Sequence, residues 1–224
     1  MIRDFFKRWP TFYYSLVVVF GPVLLIGLNP KQFLKKYGDK GKIVNLGSGP
    51  KVIRPDIINV DAIRYPGVMV VADLTKLPFE SESISRVICD NVLEHVEDAP
   101  KAVSEIERIL EKKGLAYIST PFLYPFHSSP SDYHRFTEEG LRSLFSQFEM
   151  IDLGVRSGPF SALNTYLCYL FATIFSFGSE RLFWILVDFS IFIFFPIKFF
   201  DLLFVFLPTI RHTAAVYYCV VKKR

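Results

Sequence analysis

The strongest constraint on the fold is a series of short apolar segments in the middle of the chain, each followed directly by a glycine or an acidic residue. The spacing predicts four buried β-strands. They are Lys42–Leu46 before Gly47, Ile57–Val60 before Asp61, Val68–Ala72 before Asp73, and Val87–Cys89 before Asp90. Runs this short, ended by turn-forming or polar residues, are typical of strands that are covered on both faces.

Helical segments alternate with strands along the rest of this region. Ala99–Lys112 carries an apolar side and is predicted to end at Gly114, and Thr137 is predicted to cap an acidic-starting helix through Ser146. Three more strands are predicted, at Leu115–Thr120, Phe148–Val155 and Thr213–Val221. This alternation predicts an α/β domain with a mainly parallel sheet and right-handed crossovers.

Acidic residues at successive strand ends indicate a binding site. Ligands of open parallel sheets bind beyond the carboxyl ends of the strands, where the strand order reverses. Asp61, Asp73 and Asp90 each follow a predicted strand, downstream of the Gly47-Ser48-Gly49 turn. One acidic strand end is commonplace, whereas three in succession after such a turn favour a built site.

The first apolar segment, Thr11–Leu28, carries no charge and is interrupted by Gly21-Pro22. Its 18 residues would extend about 27 Å as a helix, which barely equals the hydrocarbon thickness of a bilayer. Basic residues flank both sides, so both ends prefer the cytoplasm. The pattern favours a bent, re-entrant or interfacial helix, and the alternative is an apolar helix packed on the soluble domain.

A second apolar region lies late in the chain. Phe160–Phe177 and Leu182–Phe200 flank a polar turn and predict a helical hairpin that enters the membrane or lies in its interface. Small residues fall on one face of the first helix, which would let the helices approach closely. They are Ser161, Thr165, Cys168, Ala172 and Ser176. Asp188 is expected to face a partner helix, the soluble domain or a lipid head group.

Composition excludes several classes of protein. The net charge of +4 is too small to indicate a nucleic-acid partner, and a hydrophobic fraction of 51% excludes intrinsic disorder. Three widely separated cysteines form neither a disulfide framework nor a CxxC motif. The four histidines lack a ligand spacing with carboxylates along the chain, so no metal site is predicted.

Six motifs in order resemble the class I S-adenosylmethionine-dependent methyltransferases, specifically the family called type 11. They are VNLGSGP (44–50), INVD (58–61), VADLTKLPF (71–79), RVICDNVLEHVED (86–98), EIERILEKKGLAYISTP (105–121) and HRFTEEGLRSLF (134–145). The resemblance implies a Rossmann-like seven-stranded sheet with an antiparallel last strand. It also implies S-adenosyl-L-methionine as the cofactor.

The resemblance assigns cofactor roles to the strand ends. The glycine turn approaches the methionine part of the cofactor, Asp61 takes both ribose hydroxyls, Asp73 with Leu74 contacts adenine, and Asp90 with Asn91 lines the floor. The complete candidate set is Asn45, Leu46, Gly47, Ser48, Gly49, Asp61, Ala62, Asp73, Leu74, Asp90, Asn91, Val92 and His95.

Two departures from the family pattern affect the expected cofactor affinity. Asn45 replaces the usual acidic residue of the first strand, and only eleven residues separate Gly49 from Asp61. The family's first helix is therefore expected to be shortened. The missing third glycine also counts against a nicotinamide cofactor, because a dinucleotide fingerprint needs G-x-G-x-x-G opening a helix.

The loop after the fifth strand is predicted to cover the acceptor pocket. His127 is the first candidate base, with Asp132 to orient it, and His95 of the Glu94-His95 pair is a second candidate. The candidate substrate contacts are Phe122, Tyr124, His127, Tyr133 and Arg135. The alternatives are that His95 is a hydrogen-bonded structural histidine and that Asp132, Tyr133 and Arg135 form a network holding the loop.

These features predict four segments. They are a membrane-associated segment (1–37), the methyltransferase domain (38–157), an inserted hydrophobic hairpin (158–210) and the last strand (211–224). The expected protein is a membrane-associated methyltransferase with its domain on the cytoplasmic side. It would contact membrane lipid and would act, through O-methylation, on a lipid-linked sugar or another amphipathic acceptor. The alternatives are a non-catalytic scaffold of a membrane glycan-assembly system and a methyltransferase of a soluble small molecule.

Overall fold

The computed structural model describes residues 19–127 and 131–224. The chain forms two compact units. The sheet unit consists of Gly27–Arg156 and Val216–Arg224, and the described part of the apolar unit consists of residues 19–26 and Ser157–Ala215. Most of the predicted segment Thr11–Leu28 lies outside the described residues. Its described end is helical at residues 19 and 20 and bends at Gly21-Pro22.

A seven-stranded sheet in the order β3-β2-β1-β4-β5-β7-β6 forms the centre of the sheet unit. The strands are β1 Ile43–Leu46, β2 Ile58–Asp61, β3 Val70–Val71, β4 Ile84–Asp90, β5 Leu110–Pro121, β6 Glu149–Ser157 and β7 Val216–Lys222. The first five strands are parallel to one another, and β7 is antiparallel to β5. The predicted α/β fold with an antiparallel last strand is confirmed.

Strand register brings the ends of β1, β2 and β4 together. Leu46, the last residue of β1, is opposite Val60 on one side and Cys89 on the other. Gly47, Asp61 and Asp90 follow these three positions, so they meet at one edge of the sheet. The predicted third strand is much shorter than expected, because only Val70 and Val71 pair with β2.

The first helix of the sheet unit, α1, spans Pro30–Tyr37. Asn29 and Gln32 form a capping box at its start, which satisfies two backbone amides that would otherwise lack partners. Phe33 and Leu34 are buried against residues of the sheet that include Tyr117. The sheet unit therefore begins before residue 38, where the sequence placed the boundary.

The connections between strands agree only in part with the sequence-based expectations. Residues 50–57 form turns and no helix, so the shortening of the family's first helix is confirmed. Helix α2, Ala99–Ile109, ends five residues before Gly114, because Leu110 pairs with Ile84 and begins β5. Helix α3, Glu138–Leu144, begins as predicted at Thr137, whose side chain accepts a hydrogen bond from the Gly140 amide.

The apolar unit contains both helices of the predicted hairpin. They are α4, Pro159–Phe175, and α5, Glu180–Phe194. A 3₁₀ segment, Phe195–Phe200, and a short helix α6, Asp201–Phe204, continue α5, and a second 3₁₀ segment spans Pro208–Thr213. The small residues predicted to face a partner helix are buried, and the Ser190 hydroxyl of α5 donates to the Cys168 carbonyl of α4. Asp188 is half-buried on α5.

Two buried charged residues hold the apolar unit together. The Asp201 carboxylate accepts hydrogen bonds from the Phe160 amide and from the amide and hydroxyl of Ser161. It therefore caps the start of α4 from a distant part of the chain. The Lys198 ammonium donates to the carbonyls of Val19 and Gly21.

Candidate active site

The glycine turn after β1 is closed by an acidic residue of β2. The Gly49 amide donates to Asp61 Oδ2 at 2.8 Å, and the Ile63 amide donates to Asp61 Oδ1 at 2.9 Å. Two backbone amides thus fix the orientation of the Asp61 carboxylate, while each oxygen keeps a second lone pair for a ligand. Leu46 and Ser48 are buried, and Ala62 is exposed beside the turn.

The two glycines of the turn have different surroundings. Gly47 has φ +61°, and a Cβ there would lie 2.4 Å from the Val92 side chain. Gly49 has φ +54°, but a Cβ there would meet nothing within 4 Å. The turn is therefore packed against Val92, in the segment after β4, on the Gly47 side and open on the Gly49 side. The opening is the kind of space that a ligand needs for close approach to backbone.

Two further candidate cofactor residues are Asn45, which lies on β1 before the turn, and Asp73, which follows β3. The buried Asn45 amide donates to Asn59 Oδ1 at 3.0 Å, so it is paired within the sheet. The Asp73 side chain is exposed, and its Oδ1 accepts from both the amide and the hydroxyl of Thr75. Leu74, which follows it, is buried.

The end of β4 is held by an ion pair that crosses the sheet. Arg156 Nη1 lies 2.6 Å from Asp90 Oδ1, and Arg156 Nη2 donates to Asp90 Oδ2 at 3.1 Å. The Ser119 hydroxyl donates to the same carboxylate at 2.6 Å. Arg156 also donates to the Tyr117 hydroxyl, whose pKa is raised by burial. Asn91 follows in the left-handed region with φ +56°.

A buried carboxylate lies next to the candidate bases. Glu94 has no exposed surface, and burial raises its pKa to about 8. Within the described part of the chain, no donor lies within hydrogen-bonding distance of either of its oxygens. His95 Nε2 is 3.9 Å from Glu94 Oε1, and His95 Nδ1 contacts the Ser131 carbonyl.

His127 completes this cluster from the loop after β5. Its ring lies edge-on to those of His95 and Tyr124, at centroid distances of 5.2 and 4.9 Å. Burial lowers the pKa of His127. One ligand atom from each of Glu94, His95 and His127 lies within 4.8 Å of the other two.

The loop after β5 is held by Arg135. Its guanidinium donates to Asp132 Oδ1 at 2.5 Å and Oδ2 at 2.6 Å, and to the carbonyls of Tyr124, Pro125 and His134. Burial acts to raise the pKa of Asp132, but the hydrogen bonds from Arg135 and from the His127 amide lower it to about 2. This network agrees with the alternative interpretation, in which Asp132 and Arg135 hold the loop in place.

The other candidate substrate contacts lie on the same loop. Phe122 stacks on Tyr217 of β7 at 5.4 Å, and the Tyr133 amide donates to the Glu94 carbonyl. Tyr133 is exposed. The loop thus places aromatic side chains around the histidine cluster, at the same edge of the sheet as the glycine turn.

A family model described as a methyltransferase domain matches residues 39–118, which include β1 to β4, α2 and most of β5. Residues 39–118 are thus similar to this family of methyltransferase domains, and the seven-stranded sheet has the class I methyltransferase fold. Two probable S-adenosylmethionine-dependent methyltransferases from two strains of Mycobacterium tuberculosis are each 41% identical over 59 residues. These 59 residues are 26% of this chain and 22% of each relative, so the match spans about a fifth of their length.

Solved structures share the fold of the methyltransferase domain at low sequence identity. A S-adenosylmethionine-dependent methyltransferase of Thermotoga maritima aligns with a TM-score of 0.53 and 17% identity, over 98% of both chains. Phosphoethanolamine N-methyltransferase 2 of Haemonchus contortus, solved with S-adenosyl-L-methionine, aligns with a TM-score of 0.52 and 16% identity. That alignment covers 100% of this chain and 60% of the Haemonchus protein.

Sequence reasoning missed two residues of the methyltransferase domain site. Arg156 is 2% exposed and pairs with Asp90, yet it lies 66 residues later in the chain. The only sequence feature that pointed to this ion pair was a single charged residue at the end of β6. Glu94 was noted within its motif, but its complete burial and its proximity to His127 were not predictable from their 33-residue separation.

Proposed function

We propose that the protein binds S-adenosyl-L-methionine at the edge formed by the ends of β1, β2 and β4 and methylates an acceptor held by the loop after β5. The observation that carries the proposal is the Asp61 carboxylate, fixed by the Gly49 and Ile63 amides beside an open glycine turn. A carboxylate with two free lone pairs suits a pair of ribose hydroxyls. The open side of Gly49 suits the methionine part.

When bound, S-adenosyl-L-methionine supplies a methyl group on a sulfonium leaving group. The chain's own contribution is to position the acceptor and to remove its proton if the acceptor is a hydroxyl. Arg135 Nη2 has two hydrogens, which are directed to Asp132 Oδ2 at 2.6 Å and the Pro125 carbonyl at 3.0 Å. With both hydrogens used in this way, Nη2 does not donate to His127 Nδ1, which is 3.3 Å away. We therefore assign a hydrogen to His127 Nδ1, directed to the Pro125 carbonyl at 3.2 Å. Its Nε2 is then left with a free lone pair, as is Nε2 of His95. His127 is the preferred base because it lies on the loop that we propose holds the acceptor.

The apolar unit supports attachment to a membrane. Glu180–Phe204 forms a continuous 25-residue segment that is long and apolar enough to span a bilayer, and Pro159–Phe175 is a shorter apolar helix. Large apolar side chains of this unit are exposed, among them Phe177 at 88% and Phe206 at 74%. Exposure of so many apolar side chains in one unit marks an interaction surface. We propose that this surface contacts lipid and that the basic flanks keep the methyltransferase domain on the cytoplasmic side.

A lipid-attached enzyme favours an amphipathic or lipid-linked acceptor, such as a lipid-linked sugar, methylated at a hydroxyl. Two alternatives have support of their own. The missing helix at residues 50–57 and the pairing of Asn45 with Asn59 favour a non-catalytic scaffold with weak cofactor affinity. The network that occupies Arg135 removes one anion-binding group from the acceptor pocket, which weakens the argument for a phosphate-bearing acceptor and leaves a soluble small molecule open.

The acceptor class is tested with methyl-labelled S-adenosyl-L-methionine, vesicle-reconstituted protein, and lipid and aqueous extracts of the source cells. Label in the organic phase supports the proposed acceptor class. Label confined to the aqueous phase supports the soluble-metabolite alternative. Absence of transfer with intact cofactor binding supports the scaffold.

Membrane attachment is tested by vesicle flotation of a double variant that carries both Phe177→Glu and Phe206→Glu. The control is Met69→Glu, which changes a 59% exposed apolar residue of the sheet unit. We expect the double variant to lose flotation and the control to keep it. Equal flotation of both would overturn the lipid-contact proposal.

A further inference from the structure

The Glu94 carboxylate is buried in a way that the cofactor site does not explain. It has no exposed surface, and neither oxygen has a hydrogen-bond donor among the described residues. A buried polar group without a partner costs free energy, and such groups in folded proteins call for an explanation such as a bound ion.

The two neighbouring histidines are oriented as metal ligands are. His95 Nδ1 faces the Ser131 carbonyl and His127 Nδ1 faces the Pro125 carbonyl. Metal-binding histidines generally donate one ring N–H to a carbonyl or carboxylate, which fixes the ring and leaves the other nitrogen free for the metal. For His95 the free nitrogen is Nε2, and it lies 3.9 Å from Glu94 Oε1.

The spacing and the local charge both suit a cation. The ligand atoms lie within 4.8 Å of one another, and tetrahedral coordination at zinc-like bond lengths requires about 3.3 Å between them. Metal binding would therefore draw these atoms closer together by up to about 1.5 Å. Arg135 is paired with Asp132 through two hydrogen bonds. A bound metal ion would supply the positive charge that a buried Glu94 carboxylate needs.

We infer that Glu94, His95 and His127 bind a divalent first-row transition-metal ion such as Zn²⁺, with one coordination position open. Two imidazoles and one carboxylate favour such an ion over Mg²⁺ or Ca²⁺, which prefer all-oxygen sites. The separation of His127 from the Glu94-His95 pair explains why the sequence predicted no metal.

The inferred metal site does not depend on the proposed methyl transfer. A catalytic role for the metal, however, rests on the proposed function. The open position would hold the acceptor hydroxyl and lower its pKa. The hydroxyl proton would then leave to water, and the His127 Nε2 lone pair would serve as a ligand instead of as a base.

Co²⁺ is the probe of choice, because its visible absorption reports coordination geometry. Full-length protein in detergent is stripped with a chelator, titrated with Co²⁺, and then back-titrated with Zn²⁺. We expect one ion per chain, four- or five-coordinate bands, and displacement by Zn²⁺. Glu94→Gln and His127→Ala should each lower the affinity by about tenfold or more, since even outer-shell changes have effects of that size.

The matched controls are His212→Ala, an exposed histidine of the apolar unit, and His134→Ala, whose Nε2 contacts the Glu97 carbonyl. Both should bind Co²⁺ like the unchanged protein. Absence of stoichiometric binding by folded protein would overturn the inference, as would binding that is insensitive to both ligand variants. S-adenosylhomocysteine binding, measured on the same samples, separates failure of this inference from failure of the proposed function.

Discussion

Arg156 and Asp90 form a two-point ion pair at the carboxyl end of β4, with N–O distances of 2.6 and 3.1 Å. Arg156 is 2% exposed, so its charge depends on this carboxylate and on the Tyr117 hydroxyl for compensation. The pair links Asp90, at the centre of the proposed cofactor site, to the edge strand β6.

Removal of one partner should therefore destabilise the domain. We expect Arg156→Met to lower the free energy of unfolding by about 3 kcal/mol, because it leaves a largely buried Asp90 with only the more distant ammonium of the exposed Lys51, 3.7 Å away. Urea unfolding measures the change. The control is Arg142→Met, which removes an exposed pair with Glu138 and should cost about 0.5 kcal/mol or less. Equal losses in the two variants would contradict the assigned role of Arg156.

The two glycines of the turn should respond differently to alanine. Gly47→Ala places a Cβ 2.4 Å from Val92 in the left-handed region and should destabilise the protein strongly. In Gly49→Ala the added Cβ has no atom within 4 Å. This variant should therefore lower the free energy of unfolding only by the backbone strain, about 1 kcal/mol. If the open side of Gly49 faces the cofactor, Gly49→Ala should nevertheless weaken S-adenosylhomocysteine binding. Thermal unfolding and calorimetry on both variants check this, and unchanged binding in stable Gly49→Ala would contradict it.

Glu105 should contribute stability that disappears in acid. It accepts hydrogen bonds from Arg108 and from the Leu77 amide, and the Arg108 contacts lower its pKa below the usual 4.5. Because the folded-state pKa is lowered, the contribution is complete above pH 4.5 and is lost as the pH falls through the folded-state value.

The Glu105→Gln variant measures this contribution. It should lower the free energy of unfolding by about 1 kcal/mol at pH 7. The difference from the unchanged protein should shrink as the pH falls to 3. Glu139→Gln, at an exposed position of α3, should show no such trend. A constant difference between pH 7 and pH 3 would contradict the assignment.

Asp201 should stabilise the apolar unit through the start of α4. Asp201→Ala removes the acceptor of three hydrogen bonds that Phe160 and Ser161 donate. It should lower the free energy of unfolding by about 2 kcal/mol. Glu180→Ala, at the exposed start of α5, should cost about 0.5 kcal/mol or less. Hydrogen exchange of the α4 amides in detergent distinguishes the two. Unchanged protection of the first turn of α4 in Asp201→Ala would count against the cap.

The succession of strands along the chain and the acidic strand ends could be predicted because both depend on local patterns. An apolar run followed by Gly47, Asp61 or Asp90 needs no knowledge of distant residues. The boundaries were less predictable. Helix α2 ends at Ile109 because Leu110 pairs with Ile84 across the sheet, and this pairing overrides the helix-ending signal at Gly114.

The part of the candidate site around His127 was less predictable for the same reason. The Arg156–Asp90 pair and the approach of His127 to Glu94 join residues that are far apart in the chain. No periodicity records such contacts. By contrast, α1 had a local signal in Asn29 and Gln32, whose capping box marks its start.

The most direct measurement is calorimetric titration of the full-length protein in detergent with S-adenosylhomocysteine, beside Asp61→Ala. Asp61 touches the glycine turn through Gly49, so the variant removes both the ribose contact and the support of the turn. We predict micromolar binding by the unchanged protein and no measurable binding by the folded variant. Absence of binding by the folded unchanged protein, or equal binding by the variant, would contradict the account.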